Sequence, residues 1–338
     1  MTIRERIEAQ EQEFLRPQAV HANAAGPRAR HEEAEDFRTC FMVDRDRIIH
    51  CKSFRRLKHK TQVYIRTSGD HYRTRLTHTL EVSQIARTIA RALALNEDLV
   101  EAITLGHDIG HVAFAHNGEE ALNQLLPGGF RHCEQSVRVL TRLERDGRGL
   151  NLTPEVLEGV LNHSGFQTQK QQTTLEAQIA RFSDKIAYVN HDIDDSIRAR
   201  ILREEDLPSE FVDVLGKSHS QRIDTLVRDV VDSTEKDLSQ GLQQVTMSPR
   251  VGTALKGLRT FMFEQVYLGP AQRKARDQAM FIIQNLFEYY RNHPEALPSL
   301  YQEILKEEGL PRAVADYIAG MTDDFAREKF QELFIPGL

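Results

Sequence analysis

Apolar residues recur along most of this chain at three- and four-residue spacing, the period of helices with one buried face. In LEVSQIARTIARALAL, Val82, Ile85, Ile89, Leu93 and the alanines between them form such a stripe, predicting a helix after His78. NEDLVEAITLGHDIG opens with Asn and an acidic first turn and then becomes apolar, which predicts a second helix running into His107. GEEALNQLL is a short third helix stopped by PGG, and HCEQSVRVLTRLERDG a fourth ended by Gly147. TPEVLEGVLNH places Pro at the first helical position behind a Thr cap. TLEAQIARFSDKIAYVNHDIDDSIRARIL reads as one long helix with an apolar stripe. Further helices are predicted near 208–216, 219–238, 247–268, 270–292 and 312–334. Strand signals are few, and QVYIRT, read as half of a small hairpin, is the best of them. Residues 10 to 40 lack periodicity and read as an arm that orders on contact. The expectation is an all-α fold with an N-terminal arm over 1–40, a core over 41–205 and a C-terminal helical region over 206–338 packed on that core.

Composition narrows the class. With 338 residues, 40% hydrophobic and 28% charged, the chain can bury a sizeable core as an ordinary soluble protein. A net charge of −6 argues against a nucleic-acid coat, so nucleic acid is not a favoured partner. The charge is uneven, however: from Arg45 to Arg75 ten Lys or Arg face two acids, Asp46 and Asp70, a local basic segment suited to phosphate. Cys40, Cys51 and Cys133 are isolated, without CxxC spacing, which favours reduced thiols and a cytoplasmic location. MTIRERIEAQEQ has no apolar h-region, and no apolar run approaches the roughly 18 residues of a spanning helix, so neither a signal peptide nor a membrane partner is expected.

The chemistry concentrates in LGHDIGHVAFAHNGEEAL, residues 105 to 122. A His-Asp dipeptide alone means little, since a second occurs at His191-Asp192. His107 and Asp108, however, end an apolar helix, where a polar pair has little reason to lie unless it faces a cavity. Consecutive helical residues diverge by about 100°, so further ligands to one ion must come from neighbouring helices. His78 opens one apolar helix and Asp184 lies inside another, where a buried carboxylate is costly without a cation. Taken singly, such a His is more often a packed cap and such an Asp a solvated face residue; the four together are harder to dismiss. HDIGH nearly fits the zinc-protease pattern HExxH, but Asp108 replaces the general-base Glu and Gly110 weakens the helix that pattern needs.

His78, His107-Asp108 and Asp184, in order on separate helices, resemble the metal set of the HD superfamily of phosphohydrolases. More narrowly, DRDRIIHCKSFRRLKHKTQVY, RTRLTHTLEVSQIARTIARAL, LGHDIGHVAFAHNGEEAL, FRHCEQSVRVL and SDKIAYVNHDIDD, spread over about 44 to 195, resemble the deoxyguanosine triphosphate triphosphohydrolase family. The resemblance implies an HD-domain helical fold with additional C-terminal helices. It also implies hydrolysis of dGTP or several dNTPs to deoxynucleoside and intact triphosphate. His78, His107, Asp108 and Asp184 would ligate one divalent metal, Mn²⁺ or Mg²⁺ first, with Fe²⁺, Co²⁺, Ni²⁺ and Zn²⁺ also suited to such donors. His111, His116 and Glu119 match catalytic and α-phosphate positions, and Gln62, Arg75, His132, Lys185, Tyr188 and Asp192 match the nucleotide pocket. A dNTP effector and a homo-oligomer are implied partners. Cys133 departs from the family's frequent Asn, and Cys51 from a small hydroxyl residue, which bears on base preference.

These roles suit the reaction. His116 and Glu119 are three apart, so on one helical turn the carboxylate can hold the imidazole for proton transfer. Lys185, next to Asp184, can reach a phosphate. Asp184, Tyr188 and Asp192 share one helical face, so the Tyr188 ring can exclude a 2′-hydroxyl while Asp192 and Gln62 meet the 3′-OH. His191 reads as incidental and Glu120 as surface. Competing readings keep the HD site with another substrate (a nucleoside monophosphate, an alarmone or a nucleic-acid end) or keep the fold as a non-catalytic nucleotide sensor or nucleic-acid-binding module.

Overall fold

A computed structural model of the chain describes residues 1–62, 73–164 and 174–336. The described residues contain sixteen α-helices and no strand beyond an isolated bridge between Thr61 and Thr74, as the all-α reading expects. In chain order they are α1 (Ile3–Phe14), α2 (Cys40–Ile49), α3 (Lys52–Arg56), α4 (Arg75–Ala92), α5 (Glu97–Gly106) and α6 (Ala115–Leu125). There follow α7 (His132–Arg138), α8 (Pro154–Asn162), α9 (Leu175–Arg198), α10 (Ser209–Leu215) and α11 (His219–Ser239). The last are α12 (Pro249–Met262), α13 (Pro270–Asn292), α14 (Ser299–Glu308), α15 (Leu310–Ala319) and α16 (Asp323–Phe334). Most of the proposed hairpin strand, positions 63 to 67, lies outside the described residues. Among the described residues no helix is long and apolar enough to cross a membrane.

Two compact units interleave along the chain. The first comprises Met1–Ile49, His78–His107 and Asn151–Gly269. Within it α5 packs against α2, α8 and α9, and α9 also meets α11 and α12. The predicted stripe of α4 (Val82, Ile85, Ile89, Leu93) is buried, as are Leu99, Val100 and Ile103 of α5 and Ile179, Ile186, Val189 and Ile193 of α9. Asn96 caps α5 by accepting the Leu99 amide, as its position predicted. At α8 the expected Thr153 cap is absent, because its hydroxyl and amide both donate to the buried Asp44 carboxylate (2.7 and 2.8 Å).

The arm differs from the expectation at its start. Residues 3 to 14 form α1, opened by a capping box in which Thr2 and Glu5 exchange hydrogen bonds. The chain after it is held by carboxylates: Glu11 accepts from the Ala22 amide (2.7 Å), Glu176 from Val20 (3.0 Å) and Glu155 from Gly26 (2.7 Å). Arg28 closes the arm by pairing with Asp44.

The second unit comprises the described residues of His50–Thr77, Asp108–Leu150 and Pro270–Leu338. Its core gathers Val112, Phe114 and Leu122 with Ile283, Leu286 and Phe287 of α13, Ile304 of α14, and Val314 and Ile318 of α15. The single helix expected over 312–334 is two, because α15 ends at Gly320 and Thr322 caps a new start by accepting the Phe325 amide (3.3 Å). Cys51 caps α3, its sulfur accepting the Phe54 amide (3.3 Å), so the thiol does there what a hydroxyl residue would do. All three cysteines are free.

Candidate functional site

The predicted site residues divide between the units, and the dipeptide itself straddles the division: His107 belongs to the first and Asp108 to the second. In the first unit, α4 supplies His78, the end of α5 supplies His107, and α9 supplies Asp184. His78 Nε2 lies 3.1 Å and His107 Nε2 3.8 Å from the same atom, Asp184 Oδ1. His107 Nδ1 sits 2.6 Å from the Thr104 carbonyl, which can only accept, so the ring proton is on Nδ1 and the lone pair on Nε2. Two buried imidazoles thus turn toward one carboxylate oxygen, the donor chemistry of a divalent-ion site with its outer hydrogen bond in place.

Further along α9, burial pulls the Lys185 ammonium down to about 8 and pushes the Tyr188 hydroxyl up. Asp192, buried, accepts a hydrogen bond from Tyr267. The Arg259 charge acts on both Lys185 and Tyr188. Arg259 and Tyr267, on α12 and the π turn that follows it, carried no local signal in the sequence. His191, read as incidental, is buried with Nδ1 3.2 Å from Glu81, edge-on to His78 at 5.9 Å between ring centroids.

In the second unit, Arg75 donates from Nη1 to Asp108 Oδ2 at 2.6 Å, and both side chains are buried. Arg75 Nε and Nη2 and Gln62 Oε1 are buried without a hydrogen-bond partner among the described residues, which leaves them able to meet a polar ligand. His111 Nε2 is 3.3 Å from Asp108 Oδ1, and its ring stacks on His132 at 4.0 Å. Asp108, His111 and His132 offer ligand atoms within 4.8 Å of one another.

The His116–Glu119 pair takes a form the spacing did not foresee. His116 is largely exposed, 3.6 Å from Glu119 Oε2, whereas Glu119 Oε1 accepts from both the amide and Nδ1 of His132 at 2.8 Å. Burial alone would raise the Glu119 carboxyl, but His116, His132 and His111 hold it well below the carboxylate range. Burial alone would lower His132, but Glu119 raises it; His111, buried beside Arg75 and His132, is pushed well below its usual value. The carboxylate therefore anchors a histidine thirteen residues away more firmly than the one three residues away. Glu120, read as surface, pairs with Arg276 at 2.6 Å.

Residue packing explains how His132 gets there. Gly110 donates its amide to Ser136 Oγ (3.0 Å), and a Cβ at position 110 would lie 2.2 Å from the Ser136 nitrogen. Only glycine lets the loop after the dipeptide lie against α7, whose first residue is His132.

Residues 75–189 match the HD domain and 245–332 the phosphohydrolase-associated domain. A deoxyguanosinetriphosphate triphosphohydrolase-like protein of Clostridium tetani is 55% identical over 99% of this chain and 97% of its own. One from Clostridium perfringens is 57% identical over 99% and 98%. A solved structure, a hypothetical protein from Aquifex aeolicus, aligns with a TM-score of 0.43 at 19% identity, covering 86% of this chain and 71% of that one.

Proposed function

Because the chain belongs to the family of deoxyguanosinetriphosphate triphosphohydrolase-like HD-domain proteins, we propose that it hydrolyses dGTP, or several dNTPs, to deoxynucleoside and inorganic triphosphate. The observation that carries this reading is the turning of His78 Nε2 and His107 Nε2 onto one oxygen of Asp184. Asp108, one peptide bond from His107, would complete a set of two imidazoles and two carboxylates for a single divalent ion, Mn²⁺ or Mg²⁺ first. Such an ion would supply charge neutralisation at the α-phosphoryl group and a more acidic water.

The chain's own residues account for the rest. Water adds to the α-phosphorus, the Pα–O5′ bond breaks, and the 5′-oxygen takes up a proton. His116 sits at the start of α6 with its ring exposed and Glu119 within reach, placed to move that proton. His132, held by Glu119 through both its amide and its ring, would meet phosphate with its protonated form favoured by that carboxylate. Arg75, bonded to Asp108 through one nitrogen, keeps two donors for a phosphate oxygen. Lys185 and Arg259 add positive charge along α9. The Tyr188 ring would lie beneath C2′ and exclude a 2′-hydroxyl. Asp192, oriented by Tyr267, and Gln62 would take the 3′-OH. The reading extends to a cytoplasmic homo-oligomer responsive to an effector dNTP, with the free thiols supporting a reducing compartment.

The test assays the purified full chain with all four dNTPs, singly and mixed, in Mn²⁺ or Mg²⁺, with products resolved by ion chromatography. Intact tripolyphosphate is expected; release of orthophosphate or pyrophosphate in its place overturns the reading. Asp184→Ala is expected to lose stoichiometric metal, and a variant that retains it would remove the proposed ligand set.

A further inference from the structure

The segment from Asp108 to Ala115 joins the dipeptide to the helix carrying His116 and Glu119, and its shape is unusual. Phe114 (φ 65°) and Ala115 (φ 57°) both adopt the left-handed region, which side chains with a Cβ rarely enter and which the surroundings must therefore impose. Two buried side chains of the second unit, Asp323 and Lys60, bond to the backbone of this segment. Asp323, buried in the first turn of α16, accepts the Phe114 amide on Oδ1 at 3.0 Å. Its Oδ2 accepts the Thr61 amide at 3.2 Å and the Thr61 hydroxyl. Lys60, buried, donates from Nζ to the His111 carbonyl and to the Ala319 carbonyl at 3.0 Å. From the other side, a Cβ on Gly118 would lie 2.0 Å from the Ala113 oxygen, so α6 begins directly against this backbone.

We propose that Lys60 and Asp323 are positioning residues that fix the backbone of residues 111–115 and thereby set His111, His116 and Glu119 relative to one another. The inference rests on the reading of those three residues as the hydrolytic site. It gives the C-terminal region a part in the chemistry: Asp323 lies within the stretch matching the phosphohydrolase-associated domain, 262 residues from the threonine it also binds. Burial of a bare charge would be costly, and each group is answered by hydrogen bonds. A neutral Lys60 amine carries two N–H groups, matching the two carbonyls it meets, and burial pulls its ammonium down to about 7. Neither side chain touches a proposed substrate-binding side chain in the described contacts; Lys60 reaches His111 through its backbone. A defect should therefore appear in turnover rather than in substrate binding.

The experiment uses the full chain with Lys60→Met, Asp323→Asn and Thr61→Val. Lys60→Met preserves length without donors, and Asp323→Asn keeps one acceptor. Thr61→Val removes only the hydroxyl, so it keeps the test open if the buried-charge variants fail to fold. Two measurements are made: amide hydrogen exchange of the peptide spanning 111–118, and steady-state kinetics with dGTP. The expected result is faster exchange in that peptide for every folded variant, with α9 unchanged. Lys60→Met and Asp323→Asn should lower kcat about 10- to 100-fold at a KM within about twofold and with metal content intact. Unchanged exchange in the folded variants, an unchanged kcat, or a loss expressed in KM overturns the proposal. If the wild-type chain releases no triphosphate from any dNTP, the functional reading fails, and the exchange data still decide whether these residues hold the loop.

Discussion

Gly110→Ala offers a sharp test of how the loop after the dipeptide is held. Its Cβ would meet the Ser136 nitrogen at 2.2 Å, the Gln135 carbonyl carbon at 2.5 Å and the His132 oxygen at 2.7 Å. All three are backbone atoms, so no side chain can swing aside. Ordinary heavy-atom contacts lie near 3.5 Å, so loop and helix must part by roughly 1 Å. The same movement strains the Gly110 amide bond to Ser136 and displaces His132, the histidine that Glu119 anchors. A displacement of about 1 Å in reacting groups costs on the order of 100-fold in rate, and overpacking of this kind about 1–3 kcal/mol in stability. The assay is kcat for dGTP together with the calorimetric Tm, with Gly252→Ala of α12 as the control. There the nearest atom is the Met247 sulfur at 3.9 Å, and alanine should leave kcat unchanged while adding about 0.5–1 kcal/mol of helix stability. A Gly110→Ala protein with wild-type kcat and Tm would refute the close-approach argument outright.

Two further outcomes follow from other parts of the molecule. Tyr267→Phe removes the hydroxyl that donates to Asp192, so KM for dGTP should rise about 5- to 20-fold with kcat little changed; steady-state kinetics showing an unaltered KM would sink that assignment. Lys60 releases its proton at about 7 in the folded chain against 10.5 when unfolded, so between those values the unfolded chain binds the extra proton and this residue makes stability rise with pH. The Tm of wild type minus that of Lys60→Met should accordingly grow from pH 7 toward pH 10, and a difference that stays flat or shrinks would contradict the burial argument.

What the chain discloses in one dimension is set by the range of the forces involved. The stripe Val82, Ile85, Ile89, Leu93 encodes burial of one face, a local property, and all four are buried. α1 has no buried residue, so it left no stripe; its only mark was the Thr2/Glu5 capping box. The break between α15 and α16 was written in Gly320 and Thr322, punctuation that an apolar pattern spanning both sides obscures. Site chemistry follows the same rule. His107, Asp108, His78 and Asp184 stood out only jointly, as polar groups at the ends of apolar helices and inside one, in the order that the family resemblance carries. Glu119 showed only half its surroundings, because its neighbour His116 at three residues is visible in sequence, while His132 reaches it through the close approach at Gly110. Asp323 is the extreme case. An aspartate in a first helical turn is adequately explained by the helix dipole, so nothing locally asks for more. Its burial and its bond to Phe114, 209 residues away, do ask for more, and those exist only once the chain has closed on itself.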